Sequence, residues 1–366
     1  MKILIDDGMQ IRVGTGIGKY SRYLYENLKL KQNADFQVDL SEFQPKSGSK
    51  ISNRLEYIKF LNSKSYINNS RQYDVIHYTN YLMPFRKNGH SKYIVTIHDL
   101  ASFLYPETFS KIYVAYSRFA INYALKHADS ILTVSNSVKK ELIQYFPKFT
   151  NKIEVVYPGY YDEFSSFGNL ASVKYENDIL NTLKYKKFFL FVGTIEKRKN
   201  IGMIIKAFQQ MSSINKNNEF KLVLAGRPGY GYEDFLKFVR DNRLQNKVIF
   251  TGYISTKDCC KLYQEATAYV FPTIYEGFGS TQLECMANNL PIICSDIPTN
   301  REISGEYGIF FDLNSIDSLA RQMIMISDRK IKKRYIKIDK FLWENIIGEY
   351  IELYKTARNT LKVPIK

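Results

Sequence analysis

The chain has 366 residues, of which 45% are hydrophobic and 24% charged, a balance that excludes a disordered or fibrous protein. Lysine and arginine outnumber aspartate and glutamate by 52 to 36, a formal net charge of +16, which favours a polyanionic partner: nucleic acid, an acidic membrane surface or phosphorylated small molecules. No apolar run approaches the ~18 residues that a membrane-spanning helix needs, and the length suits two domains.

Short apolar runs recur along the chain. The first six are KILID (2–6), FQVDL (36–40), DVIHY (74–78), YIVTI (93–97), SILTV (130–134) and IEVVY (153–157). After a stretch without a clear strand, 163–187, come FFLFVG (188–193), FKLVLAG (220–226), VIFTG (248–252), AYVFP (268–272), PIICS (291–295) and GIFFD (308–312). Runs this short and apolar on both faces predict buried parallel strands. Between them lie helical patterns, such as Ile201, Ile204, Ile205 and Phe208 at the i, i+3, i+4, i+7 spacing. The expected fold is therefore α/β, with two doubly wound Rossmann-like domains at 1–170 and 188–340. A linker at 171–187 joins them, and an amphipathic helix lies in 341–366. Open sheets of this kind bind ligands beyond the carboxyl ends of their strands, and two of them joined by a linker predict an interdomain cleft.

The four cysteines, Cys259, Cys260, Cys285 and Cys294, form no CxxC pair, so a reduced, cytoplasmic protein is expected. The opening MKILIDDGMQ reaches two aspartates too soon for a secretory signal. No HExxH cluster or DxD carboxylate pair is present, and a metal site is not expected.

Four constellations follow strands directly. In RVGTGIGKYSRYL (12–24) glycines alternate at 14, 16 and 18; this is neither a Walker A loop nor GxGxxG, yet it is a glycine-rich turn able to approach a phosphate or a sugar. In YIVTIHDL, His98 follows a strand at once and should emerge at the cleft edge; a lone histidine is also commonly a structural hydrogen-bonder. In VGTIEKRKN, Arg198 and Lys199 sit in a strand–helix turn after Gly193 and Thr194, suiting a phosphate pair, although a solvated basic turn reads the same way. In EGFGSTQLECMA, Gly277 and Gly279 separate Glu276 from Glu284; Ser280 or Thr281 is expected to cap a helix whose free N–H groups favour an anion. Glu284 would then accept a ribose diol, and Glu276 would face a sugar beyond the diphosphate. A capped helix start with two surface glutamates is the plain alternative.

Taken in order, these motifs resemble the retaining family 4 glycosyltransferases of GT-B architecture. TGIGKYSRYL (15–24), DVIHYTNYLMP (74–84), VTIHDL (95–100), YPETF (105–109), ADSILTVSNSVKKEL (128–142), KIEVVYPGYYD (152–162), VGTIEKRKN (192–200), LVLAGRPG (222–229), VIFTGYIS (248–255) and EGFG…LE (276–284) carry the resemblance over almost the whole chain. It implies a catalytic group of Glu276, His98, Lys199 and Arg198: Glu276 and His98 contact the transferred sugar, while Lys199 and Arg198 stabilise the leaving diphosphate. It implies a donor-binding group of Gly16, Thr194, Gly279, Ser280, Thr281, Glu284 and Glu302. Three departures stand out. Thr194 replaces the family's arginine, Ser280-Thr281-Gln282 replaces its Leu-Pro-x, and Arg301-Glu302 stands for its Pro-Glu, making Glu302 a softer candidate.

The resemblance further implies a nucleotide-diphosphate sugar donor, a saccharide or lipid-linked acceptor, no cofactor, no metal and no nucleic acid. Closure of the two domains would exclude water. Bacterial O-antigen or capsule synthesis is the expected setting, with GDP-mannose the first donor to consider because of the GT-x-E-x-R-K-N pattern. An anionic membrane surface is a further expected partner, through the helix-forming 110–127 with Lys111, Arg118 and Lys126 among aromatics. A GT-B nucleotide-sugar epimerase and a basic nucleic-acid-binding protein are the competing readings, the latter weakened because the cations are spread along the chain.

Overall fold

A computed structural model describes residues 1–8, 16–41, 43–44, 50–160, 162–164, 167–183, 187–214, 220–328 and 338–359. The glycine-rich turn at 12–15, Gly14 included, lies outside the described residues. The chain divides into two units, one made of Met1–Tyr161 with Asp339–Lys366 and the other of Asp162–Ile338.

The first unit holds strands β1 (Lys2–Asp6), β2 (Gln37–Ser41), β3 (Val75–Tyr78), β4 (Lys92–Ile97), β5 (Ser130–Thr133) and β6 (Ile153–Val155). They pair in parallel in the order β2-β1-β3-β4-β5-β6, with Ile3 opposite Val75 and Ile94 opposite Ser130. Successive side chains of a strand point to opposite faces. On β4, Tyr93, Val95 and Ile97 enter one core with Ile121, Ala124 and Leu125 of helix Lys111–His127, while Ile94 enters a second core. Both faces are thus covered, as an all-parallel sheet requires.

The second core corrects one boundary. Of the helix expected in 341–366, the described residues 341–359 are not a separate element. Helix Trp343–Asn359 buries Trp343, Ile346, Ile347, Tyr350, Leu353 and Tyr354 against Ile3, Ile5, Leu24 and Val75 of the first unit. At Gly159 a Cβ would overlap the Trp343 ring, so the chain before the domain boundary runs tightly over this indole.

The second unit holds β7 (Phe188–Val192), β8 (Lys221–Ala225), β9 (Val248–Gly252), β10 (Ala268–Phe271), β11 (Ile292–Ser295) and β12 (Gly308–Phe311), all parallel, in the order β12-β11-β10-β7-β8-β9. Helix Ile201–Ile214 covers the sheet with Ile204, Ile205, Phe208 and Met211 on Phe189, Leu222 and Leu224. Here the second boundary is corrected. The stretch expected as a linker, 171–187, belongs to this unit: Leu180 and Leu183 are buried, Tyr175 donates to Glu265, and the Glu176 and Asn177 amides donate to the Asp258 carboxylate at 2.8 and 2.9 Å. A segment with five such anchors behaves as part of the body it is fastened to.

The strand orders locate where a ligand can enter. Strand order reverses between β1 and β3 in the first sheet and between β7 and β10 in the second. Connections leave in opposite directions at such a point, which opens a crevice at the strands' carboxyl ends.

Candidate active site

In the second unit, the loops after β7 and β10 meet at the switch point. Beyond Val192 the chain passes Gly193, whose φ of 150° is open to glycine, and its amide donates to the Ala225 carbonyl at 2.9 Å. The neighbouring Gly226, at φ 147°, has no room for a side chain, because a Cβ there would overlap the Gly193 carbonyl oxygen. A single 3-10 turn, Lys197–Lys199, ends at Asn200 in the left-handed region, φ 54°, a conformation that asparagine tolerates, and helix Ile201–Ile214 starts there. The turn is tied to the β10 loop by the Ile274 amide, which donates to the Arg198 carbonyl at 3.0 Å.

This brings Lys199, Arg198 and Glu276 together. Lys199 Nζ donates directly to Glu276 Oε1, and Arg198 approaches the same oxygen at 3.6 Å. Arg198 also donates to the Tyr275 carbonyl at 3.0 Å and to Glu196 at 2.9 Å. Side-chain exposure is only 16% for Lys199 and 12% for Glu276, so their attraction is less screened than that of a surface pair. Burial pushes the Glu276 carboxyl toward neutrality, but the adjoining Lys199 and Arg198 charges and the Thr273 hydroxyl outweigh it and hold the group below the usual carboxylate range. The cluster thus keeps two cations and a charged carboxylate at a sheet's carboxyl edge, suited to an anion followed by a polyol.

Glu284 lies in helix Thr281–Ala287 and accepts from Tyr263 at 2.7 Å. The expected cap is not made: Ser280 has helical angles, φ −53° and ψ −28°, and its side chain makes no capping bond, because the turn is set by Gly279 at φ 76°. Thr194 and Ser280 are exposed, and Thr281 is half-buried. Glu302 is half-buried on helix Pro298–Ser304, whose Arg301 is committed to a two-pronged pair with Asp296 at 2.6 Å.

Gly16 and His98 belong to the first unit. Gly16 opens helix Gly16–Lys29, and among the described residues no non-neighbouring atom lies within 4 Å of where its Cβ would be. His98, directly after β4, donates its Nε2–H to the Thr79 carbonyl at 2.8 Å, and its ring meets Tyr20 edge-on at 5.0 Å. The carbonyl can only accept, so a neutral imidazole keeps its lone pair on Nδ1. Burial lowers its pKa from 6.5 against the opposing Thr79 bond and Asp99 charge, favouring that neutral form. His77 is structural: it is enclosed between Tyr354 and Thr96 at 2.8 and 2.7 Å, and burial, aided by His98, takes its pKa to about 3.

Residue-by-residue reading missed two groups. Asp6, at the end of β1, is buried under hydrogen bonds from Tyr57 and Tyr66, with its pKa raised by burial against those bonds. Thr273, Ser295, Gln282, Thr299 and Asn300 lie buried behind Glu276. Position at the carboxyl end of a strand was the available signal for Asp6 and Ser295, and position just after one for Thr273. Among the described residues no group of three or more His, Cys, Asp or Glu could hold a metal ion.

Known proteins match both units. Residues 33–164 match the Glycosyltransferase Family 4 model, and residues 175–340 match that for Glycosyl transferases group 1. The chain carries a domain of each of these families and is a glycosyltransferase. It is 27% identical over 375 residues to the O-antigen chain mannosyltransferase B of Escherichia coli, covering 93% of this chain and 96% of that one. Its fold is similar to sucrose-phosphate synthase from Thermosynechococcus elongatus, with TM-score 0.72 and 18% identity over 98% of this chain and 100% of that chain. It is similar also to Anabaena HepE in complex with UDP, with TM-score 0.65 and 16% identity over 97% and 99%. The architecture is the two-domain α/β GT-B fold.

Proposed function

We propose that the protein transfers a hexose from a nucleotide-diphosphate sugar to a saccharide or lipid-linked saccharide in bacterial O-antigen or capsule synthesis, with retention and with GDP-mannose as the first donor to test. The convergence of Lys199 and Arg198 on Glu276 at the β7/β10 switch carries this reading. The name of the Escherichia coli relative supports the setting and the sugar. The UDP complex of the Anabaena structure supports a nucleotide diphosphate as the donor's leaving half.

Bond breaking between the anomeric carbon and the diphosphate oxygen leaves both electrons on the diphosphate. Arg198 and Lys199 stabilise that charge in a partly dry site. The acceptor oxygen bonds the anomeric carbon on the same face, and its proton passes to a diphosphate oxygen. Glu276 holds hydroxyls of the transferred sugar, Glu284 the ribose, and the Thr194, Gly279, Ser280 and Thr281 backbone lies along the diphosphate, with Glu302 on the nucleotide side. His98 offers Nδ1 to the sugar and Gly16 its backbone to the phosphates; both roles rest on the resemblance of those positions. No metal or cofactor takes part.

Thermal denaturation with GDP, UDP and dTDP and their mannose, glucose and galactose derivatives tests the reading. One base should raise the melting temperature by several degrees at saturation, since a ligand at 100 times its Kd adds ~2.7 kcal/mol. No shift with any of them would remove the donor assignment.

We also propose that the protein works at the inner face of the membrane, docked on anionic lipid. Helix Lys111–His127 exposes Ile112 (83%) and Phe119 (60%), and Phe119 packs on Phe85, itself 54% exposed. Arg86, Lys111 and Lys126 are exposed on the same two segments. Arg118, expected among the docking cations, instead donates to the Ser102 carbonyl at 3.0 Å and lies over the Phe103 ring. Apolar side chains among cations complement an anionic headgroup layer, each placed cation contributing ~1 kcal/mol. Co-sedimentation with phosphatidylglycerol vesicles should exceed that with phosphatidylcholine and fall in Phe119→Glu; equal background pelleting with both refutes docking.

A further inference from the structure

Behind Glu276 runs a chain of buried polar side chains that the proposed reaction leaves without a task. Gln282, Asn300, Ser295 and Thr273 are fully buried, and Ser304 and Thr299 nearly so. Ser304 Oγ donates to Gln282 Oε1 at 2.5 Å, and Gln282 Nε2 donates to Asn300 Oδ1 at 3.1 Å and toward the Phe278 carbonyl at 3.5 Å. Asn300 Nδ2 donates to the Ser295 carbonyl at 2.9 Å and to its hydroxyl at 3.0 Å. Ser295 Oγ donates to the Thr273 carbonyl at 2.6 Å. Thr273 Oγ1 then reaches the Tyr275 carbonyl at 3.0 Å and Glu276 Oε1 at 3.3 Å, while Thr299 Oγ1 donates to the carbonyl of Glu276 itself at 2.8 Å.

The direction of this chain is fixed. The carbonyls of Phe278, Ser295 and Thr273 can only accept, so the groups facing them must be donors, which settles both amide orientations. The donors run in one sense, from Ser304 through Gln282, Asn300 and Ser295 to Thr273, whose hydroxyl reaches Glu276. Burying two amides costs free energy unless every bond is made, whereas aliphatic side chains of that volume carry no such risk. Gly279 fits the same arrangement: at φ 76° its missing Cβ would lie 2.5 Å from Gln282 Nε2.

We infer that Gln282 and Asn300 are positioning residues that set the Gly277–Gly279 turn and aim the Glu276 carboxylate, acting through Ser295, Thr273 and Thr299. The inference rests on the reading of Glu276 as the sugar-facing carboxylate. Gln282→Met keeps volume and removes the donor. Gln282→Glu keeps shape and removes the donor only while ionised. Both are made in the full chain, alone and with Glu276→Ala, and sugar release is followed with whichever of GDP-mannose, UDP-glucose and UDP-galactose the wild type turns over fastest.

For Gln282→Met, kcat should fall about 10- to 100-fold with donor KM within about threefold, the scale of misplacing a group by an ångström. The Gln282→Glu protein should be equally slow at pH 8. It should recover as pH falls, because a buried carboxyl has a raised pKa and its protonated form again donates to Asn300 Oδ1. Gln282→Met should gain no such limb, and in Glu276→Ala it should cost nothing further. Unchanged kcat in folded Gln282→Met, a missing acid recovery in Gln282→Glu, or full additivity with Glu276→Ala overturns the inference. Normal turnover by Glu276→Ala itself would instead sink the reading of Glu276. Without any donor, amide hydrogen exchange at 276–279 decides: it should rise in Gln282→Met while β7 and β10 stay protected, and unchanged exchange there refutes the inference. Should neither Gln282 variant fold, Thr299→Val, which removes only the bond to the Glu276 carbonyl, must show the same exchange increase.

Discussion

Lys199 donates to Glu276, and Arg198 approaches the same carboxylate oxygen. In the proposed reaction a diphosphate beside Lys199 and Arg198 would compete for the cations and leave Glu276 available for hydroxyl donors. Two cations serve this better than one, since Arg198 is partly spent on Glu196 and the Tyr275 carbonyl. In the proposed reaction His98 would meet the sugar as a neutral acceptor. Its folded pKa lies below 6.5, so the stability tied to its neutral form is complete above pH 6.5 and declines as the pH falls below it. Titration of His98 by NMR should give a midpoint under 6.5, and a midpoint at or above 6.5 contradicts the role of Nδ1 as acceptor.

At the scale of elements, the carboxyl edge of the second sheet depends on glycines that let strand ends crowd together. Gly226→Ala places a methyl group against the Gly193 carbonyl at φ 147°, so it should cost this unit at least ~2 kcal/mol, read as a lower denaturant midpoint; an unchanged midpoint would show that the edge relaxes freely. The strands themselves were legible, because a run such as FFLFV or AYVF is apolar on both faces and can be little else than a buried parallel strand; β7 and β10 end within a residue of where the runs do. The helix start at Ser280 was not. A serine before a helical pattern signals a cap, yet the left-handed Gly279 presents the chain already turned. Gln282 and Asn300 were illegible for another reason: a buried amide and a solvated one are the same letters. Only the carbonyls around them distinguish the two.

For the whole molecule, the chain closes on its own beginning, the last helix packing Tyr350 and Tyr354 beside Tyr20 and His77 of the first unit. The amphipathic pattern of 341–358 announced a buried face but carried no mark of what it would meet. Similarly, Tyr175, Leu180 and Leu183 read as linker residues until Asp258 and Glu265 claimed their segment. Among the described residues no helix is long and apolar enough to cross a membrane; the proposed docking on lipid would use exposed side chains such as Phe85 and Phe119. The claim on which the rest depends is that Glu276 and Lys199 act on a donor sugar and its leaving diphosphate. Initial rates of sugar transfer by Glu276→Ala and Lys199→Ala, each shown to be folded, measure it directly. Each should be slower than wild type by ~100-fold or more, the scale of losing one transition-state contact. Near-normal rates in both would contradict the account.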